Sequence, residues 1–194
     1  MAKSWMWAVL ASASLVLAAG CSDDDDGNGG LIADAGPSDD NLTLTDAQIA
    51  RVMLVANEGE VQLGELGQSR AASTAVRDFN ARMVTEHSAA RQRLEQLAQA
   101  QGLTPEESPV SLQLQEEVAR MRAALARAPA ESFDLAMMGS QVAAHARTAM
   151  TADSLLAPQA RNTALIQELQ AQRAHVQEHL VDAVELQETL FSAP

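Results

Sequence analysis

At 194 residues and a formal net charge of −13, the chain can hold one domain with a real core once its ends are trimmed. Thirteen basic residues against 26 acidic ones argue against nucleic-acid phosphates and anionic lipid head groups as partners. A single cysteine, Cys21, excludes an intramolecular disulfide, and the absence of tyrosine leaves alanine, leucine and methionine to fill a core that favours helix over strand.

Residues 1–20 read as a lipoprotein signal peptide. Lys3 precedes an apolar stretch of about 15 residues, short against the roughly 20 that a membrane-spanning helix needs. The run Leu17-Ala18-Ala19-Gly20-Cys21 looks like a lipobox, with its leucine one place further from the cysteine than usual. Resemblance to bacterial lipoproteins implies a diacylglycerol on the Cys21 sulfur and a palmitate-like acyl chain on its amine. At roughly 0.8 kcal/mol per buried CH₂, several such chains anchor durably. Ser22, where an aspartate would signal retention, points by analogy to the outer membrane, with the domain in the periplasm. Residues 21–45 then form an acidic, disordered tether: after Cys21 they hold seven aspartates and no basic residue.

The domain is expected over 46–194, all helical. Thr45-Asp46 is a helix-start signal. Helix 1 (about 46–69) carries Ile49, Met53, Ala56 and Leu63 on one stripe. Helix 2 (about 73–101) carries Val76, Phe79, Met83, Leu94 and Leu97, and Gly102 ends it. Helix 3 (about 110–127) carries Leu114, Val118, Met121 and Leu125, and Pro129 breaks it. Helix 4 (about 131–156) carries Met138, Val142, Ala149, Ala152 and Leu156, with Pro158 in the following turn. Helix 5 (about 160–191) carries Leu165, Leu169, Val176, Ala183, Leu186 and Leu190. Tight turns make helices 1/2 and 4/5 antiparallel hairpins, and the short helix 3 returns the chain along the bundle. The predicted fold is a ferritin-like four-helix bundle, up-down, crossover, down-up; a five-helix up-down bundle is the alternative.

The apolar stripes are interrupted at Glu60, His87, His145 and His179, one per long helix, near its middle and facing inward. Carboxylate and imidazole are ligand types for Zn, Fe, Mn or Cu, so these four form a candidate mononuclear metal site. The competing reading is structural: glutamate and histidine satisfy each other by hydrogen bonds and fix the register of the bundle. His175, one turn before His179, lies on a neighbouring face. A ferritin-type di-iron site is excluded, because it needs Glu-x-x-His on two helices, and Val84, Val142 and Val176 stand three residues before the histidines. Glu86 and Glu178 precede theirs by one residue and point about 100° away. No nucleophile–base pattern or phosphate loop is present, and the glycines of helix 1 read as points of close helix approach.

Glu60-Val61-Gln62-Leu63-Gly64, Arg82-Met83-Val84-Thr85-Glu86-His87, Phe133-Asp134, His145, and His179-Leu180 with Ala183 resemble, in order and spacing, the domain of unknown function 4142 family. The resemblance covers about residues 46–190. It implies a ferritin-like fold and a periplasmic or outer-membrane location. It also sets Asp134 beside Glu60 and the three histidines as a motif position, and Asp134 and His175 are candidates to support the ligands from behind. Met137, Ala144 and the lack of a proline in the last motif depart from the family pattern. The leading expectation is a non-enzymatic, lipid-anchored envelope domain that meets the membrane through Cys21 and an envelope protein through its surface. The alternative is a metal-binding bundle.

Overall fold

The computed structural model describes residues 42–192. The predicted signal peptide, Cys21 and the tether up to residue 41 lie outside the described residues. Within them the chain is helical without strands: α1 (Asp46–Arg70), α2 (Thr74–Ala100), α3 (Pro109–Arg127), α4 (Ala130–Thr151), the short α5 (Ala157–Gln159) and α6 (Thr163–Ser192). None of these helices is long and apolar enough to cross a membrane.

Local chemistry sets the ends. The Thr45 hydroxyl accepts the Gln48 N–H while the Gln48 side chain accepts the Thr45 N–H, closing a capping box. Leu44, just ahead of that cap, is buried with Ile49 in one apolar cluster, which fixes the entry of the chain. Gly102, at φ +66°, takes the left-handed conformation that ends α2. Ser108 caps α3 through Ser111, and Pro109 occupies the first turn, where its missing N–H costs nothing. The sequence predicts one helix through Leu156. Instead α4 passes into a π-helical turn at Ala152–Leu156, just upstream of Pro158, which has no N–H to donate to the preceding turn. α6 starts three residues later than expected, where the Asn162 side chain accepts the Leu165 N–H.

α1 packs on α2 and α4, and α6 on α2 and α4, so the four long helices close a ring. Contacts between partners run in opposite directions. Arg82, Glu86 and Arg93 of α2 meet Asp182, His179 and Glu168 of α6. Asp46 of α1 meets the turn at Arg161 and Asn162, Glu60 meets His145, and the turn after α1 meets Asp134. α2 and α4 therefore run the same way, across the ring from each other. α3 lies outside the ring against α1 and α4. Close approach relies on α1 glycines. A Cβ on Gly59 would fall 2.6 Å from a Val118 methyl of α3, and one on Gly64 would fall 2.9 Å from the Asn80 carbonyl of α2.

The core has two apolar regions. One gathers Leu44, Ile49, Met53, Leu94, Leu156, Leu165 and Leu169 around the π turn. The other gathers Leu63, Val76, Phe79, Met83, Phe133, Met137 and Met138 around the α1–α2 turn. Between them lies a polar layer of buried Asn57, Glu60, His87, His145 and His179, while Asn80 accepts the Gln141 amide against Gly67 at the second region.

Candidate functional site

Three of the four ring helices send one histidine to the middle of the bundle: His87 from α2, His145 from α4 and His179 from α6, each less than a tenth exposed. Their positions follow from helical spacing, four residues on from the buried Met83 and Gln141 and three on from the buried Val176, which keeps each on the inward stripe of its helix. The rings form a triangle with centroids 5.2–5.6 Å apart, set edge to face. One ring nitrogen of each lies within 4.8 Å of one from each of the others.

Each ring is held from behind by an acceptor. His87 Nδ1 lies 2.9 Å from Asn57 Oδ1, and the Asn57 amide nitrogen donates to the Met53 carbonyl and to Gln172. The asparagine oxygen is therefore the acceptor and His87 Nδ1–H the donor. His145 Nδ1–H donates to the Gln141 carbonyl at 2.9 Å, and His179 Nε2–H to a Glu86 carboxylate oxygen at 2.6 Å. These bonds fix the tautomers and leave the lone pair on the other nitrogen of each ring. Those nitrogens, His87 Nε2, His145 Nε2 and His179 Nδ1, are buried and have no hydrogen-bond partner among the described residues. Burial, with His145, His179 and His175 nearby, holds the His87 imidazole well below the usual histidine range. Burial lowers His179 as well, against the opposing pull of Glu86. A neutral imidazole with a free ring-nitrogen lone pair is the form in which histidine ligates a metal.

The other predicted residues take different positions. Glu60 is buried beside His145, with Oε1 3.6 Å from His145 Nδ1 and Oε2 without a partner among the described residues. It stands outside the group of three, on the side of His145 away from that ring's bare nitrogen. Burial raises its carboxyl, with the His145 charge acting the other way. Asp134 is at the far end of the bundle, where its two oxygens accept the Ala72 and Ser73 N–H groups at 2.9 and 2.7 Å. It supports the α1–α2 turn and no histidine. His175 is exposed, its ring 6.4 Å from that of His179 and its Nδ1 3.6 Å from Glu178.

Sequence reasoning did not single out Asn57, Gln141 or Glu86 as supports. Asn57 was legible, because equal numbers of residues separate it from Ala71 and Ser73 from His87 across the hairpin. Gln141 lies four residues before His145, on the same stripe. Glu86 does point away from its neighbour His87, and for that reason it reaches His179 on the adjacent helix.

Two openings reach the histidines. A cavity of about 50 Å³ meets His87 and His145 from the side bounded by α1, α3, α4 and α6. A cleft of about 280 Å³ between α2 and α6, whose lining includes Arg82, Glu86, Arg93, His175 and Asp182, meets His87 and His179.

Fold and site together define an all-helical bundle with a buried cluster of three histidines. The family model described as Domain of unknown function (DUF4142) matches residues 32–186, and the chain belongs to that family. No curated protein and no solved structure matches the chain.

Proposed function

We propose that this domain binds one divalent transition-metal ion through His87, His145 and His179. The observation that carries this reading is the set of three buried, unpartnered ring nitrogens, one per ring, each on a histidine whose other nitrogen is held by an outer acceptor. Acceptors that orient the ring and fix the tautomer are the usual companions of metal-binding histidines. The donor set is all imidazole nitrogen, which suits zinc or copper better than magnesium or calcium. Zinc–nitrogen bonds of 2.0–2.1 Å in a tetrahedron need nitrogens about 3.3 Å apart, so small side-chain rotations must close the triangle on binding. Mutual pairing of glutamate and histidine accounts for less, because it leaves all three inner nitrogens unsatisfied.

The helix directions and the α3 crossover support a ferritin-like four-helix bundle with a mononuclear, histidine-based centre in place of paired Glu-x-x-His ligands. The lipobox-like run ending at Cys21 supports a lipid anchor. The domain would then work on the periplasmic face of the outer membrane, alongside an envelope protein partner.

Metal content of protein purified without a histidine tag or chelator tests the metal reading. About one ion per chain is expected, falling at least tenfold in His145→Ala. Absence of stoichiometric metal, with no rise in Tm on adding Zn²⁺ or Cu²⁺, overturns it. Radiolabelled palmitate incorporated by cells expressing the chain, and lost in Cys21→Ala, tests the anchor.

A further inference from the structure

The ring of four helices supplies the histidines unevenly. α2, α4 and α6 give one each, and α1 gives none. Opposite the triangle α1 presents Ala56, Asn57 and Glu60, and the 50 Å³ cavity runs along this side. Its walls are apolar, including Val52, Ala56, Leu114, Leu156, Leu169 and Val176, and it touches both His87 and His145. Glu60 lines it too, and its buried Oε2 has no partner among the described residues. The polar groups near its mouth are already neutralised in pairs, Arg147 with Glu117 at 2.7 Å and Arg173 with Asp153 at 2.9 Å. The space is about a third of a 150 Å³ cavity that holds benzene, enough for two or three heavy atoms.

A metal with three protein ligands keeps a further coordination position. We infer that this position opens into the α1-side cavity and takes an exchangeable small ligand of two or three heavy atoms, uncharged or singly charged. The inference rests on the three-histidine reading and adds to it. A purely structural metal is closed by a fourth protein ligand, whereas here the fourth wall offers room and apolar lining. The cavity also separates the two approaches by chemistry. The α2–α6 cleft carries charged side chains and suits entry of the ion, while the α1 side suits a small molecule.

Azide, three heavy atoms with one charge, is a direct probe. Full-length protein is loaded with Cu²⁺, its metal content measured, and azide titrated while the visible spectrum is followed. A saturable new charge-transfer band is expected. Ala56→Leu, which fills the cavity, should retain the metal and weaken azide binding at least tenfold. Thr148→Met fills the same cavity from α4 and serves if Ala56→Leu does not fold. Full metal loading with a spectrum indifferent to azide overturns this inference and leaves the three-histidine reading standing. Azide binding unchanged in both folded cavity variants overturns the route through the α1 side. Failure to load metal overturns both readings.

Discussion

The apolar end around Leu94 and the polar layer around the three histidines are built on the same helices at the same spacing, yet they satisfy their residues in opposite ways. At the apolar end, burial alone is sufficient: Ile49, Leu94 and Leu165 are fully enclosed and need no partner. In the polar layer every histidine is satisfied on one side and left bare on the other. A bundle seeking only stability would fill that layer with leucine. Buried polar atoms without partners each cost roughly 1–3 kcal/mol, so the layer is a standing cost of the apo fold. Departures from the local rules of stability are expected at functional sites, and the site proposed above lies in this layer.

The sharpest way to break the comparison is to cut each region in turn. Phe133→Ala, in the second apolar region near the α1–α2 turn, should cost about 3–5 kcal/mol in urea denaturation of the apo protein, because the ring is 1 % exposed and leaves a cavity. His145→Leu should do the reverse, raising apo stability by about 1 kcal/mol through removal of an unpaired buried nitrogen, while abolishing metal-dependent stabilisation. If His145→Leu destabilises the apo protein as much as Phe133→Ala does, the polar layer is structural.

A smaller effect concerns how the two hairpins are joined. Asp134, near the start of α4, accepts two backbone N–H groups from the α1–α2 turn, and Asp46, at the start of α1, accepts two from the turn before α6. Each hairpin thus closes the turn of the other. Asp134→Ala and Asp46→Ala should each cost about 1–2 kcal/mol. The losses should add in the double variant, since the sites lie at opposite ends of the bundle and share no partner. Neither should change metal affinity, which a competition assay with a chromophoric chelator would measure.

The smallest effect is on pH dependence. His87 and His179 are held below the usual histidine range, so between their folded values and about pH 6.5 the unfolded chain binds more protons. Their contribution is complete above about pH 6.5 and is lost as the pH falls below it. Glu60, raised by burial, acts oppositely: its contribution declines as the pH rises above about 4.5. The Tm of apo protein should therefore fall by a few degrees between pH 7 and 5.5, and this fall should shrink in His87→Leu. An equal fall in His87→Leu would contradict a His87 imidazole held neutral by burial.

Much of this architecture was legible along the chain. Thr45, Gly102 and Ser108-Pro109 mark helix ends by chemistry that acts within a few residues, and the three- and four-residue recurrence of Ile49, Met83, Leu94 and Leu165 marks the buried faces. The same spacing set His87, His145 and His179 inward. The π turn was not legible, because it depends on how Pro158 is accommodated while Ala152 and Leu156 stay packed in the core. Axial level was not legible either. Counting from the turns leaves mismatches of several ångströms among the four titratable residues, and the π turn, the late start of α6 and the side-chain reach decide which of them meet. By itself, then, the sequence determined the helices, their inward faces and the identity of the polar interruptions, since those depend on local propensity and period. Only the tertiary structure decided that three histidines share one level, that Asn57, Gln141 and Glu86 hold them, and that Glu60 stands to one side beside a cavity. Those outcomes turn on the relative sliding of helices, which is set by packing between residues distant in the chain.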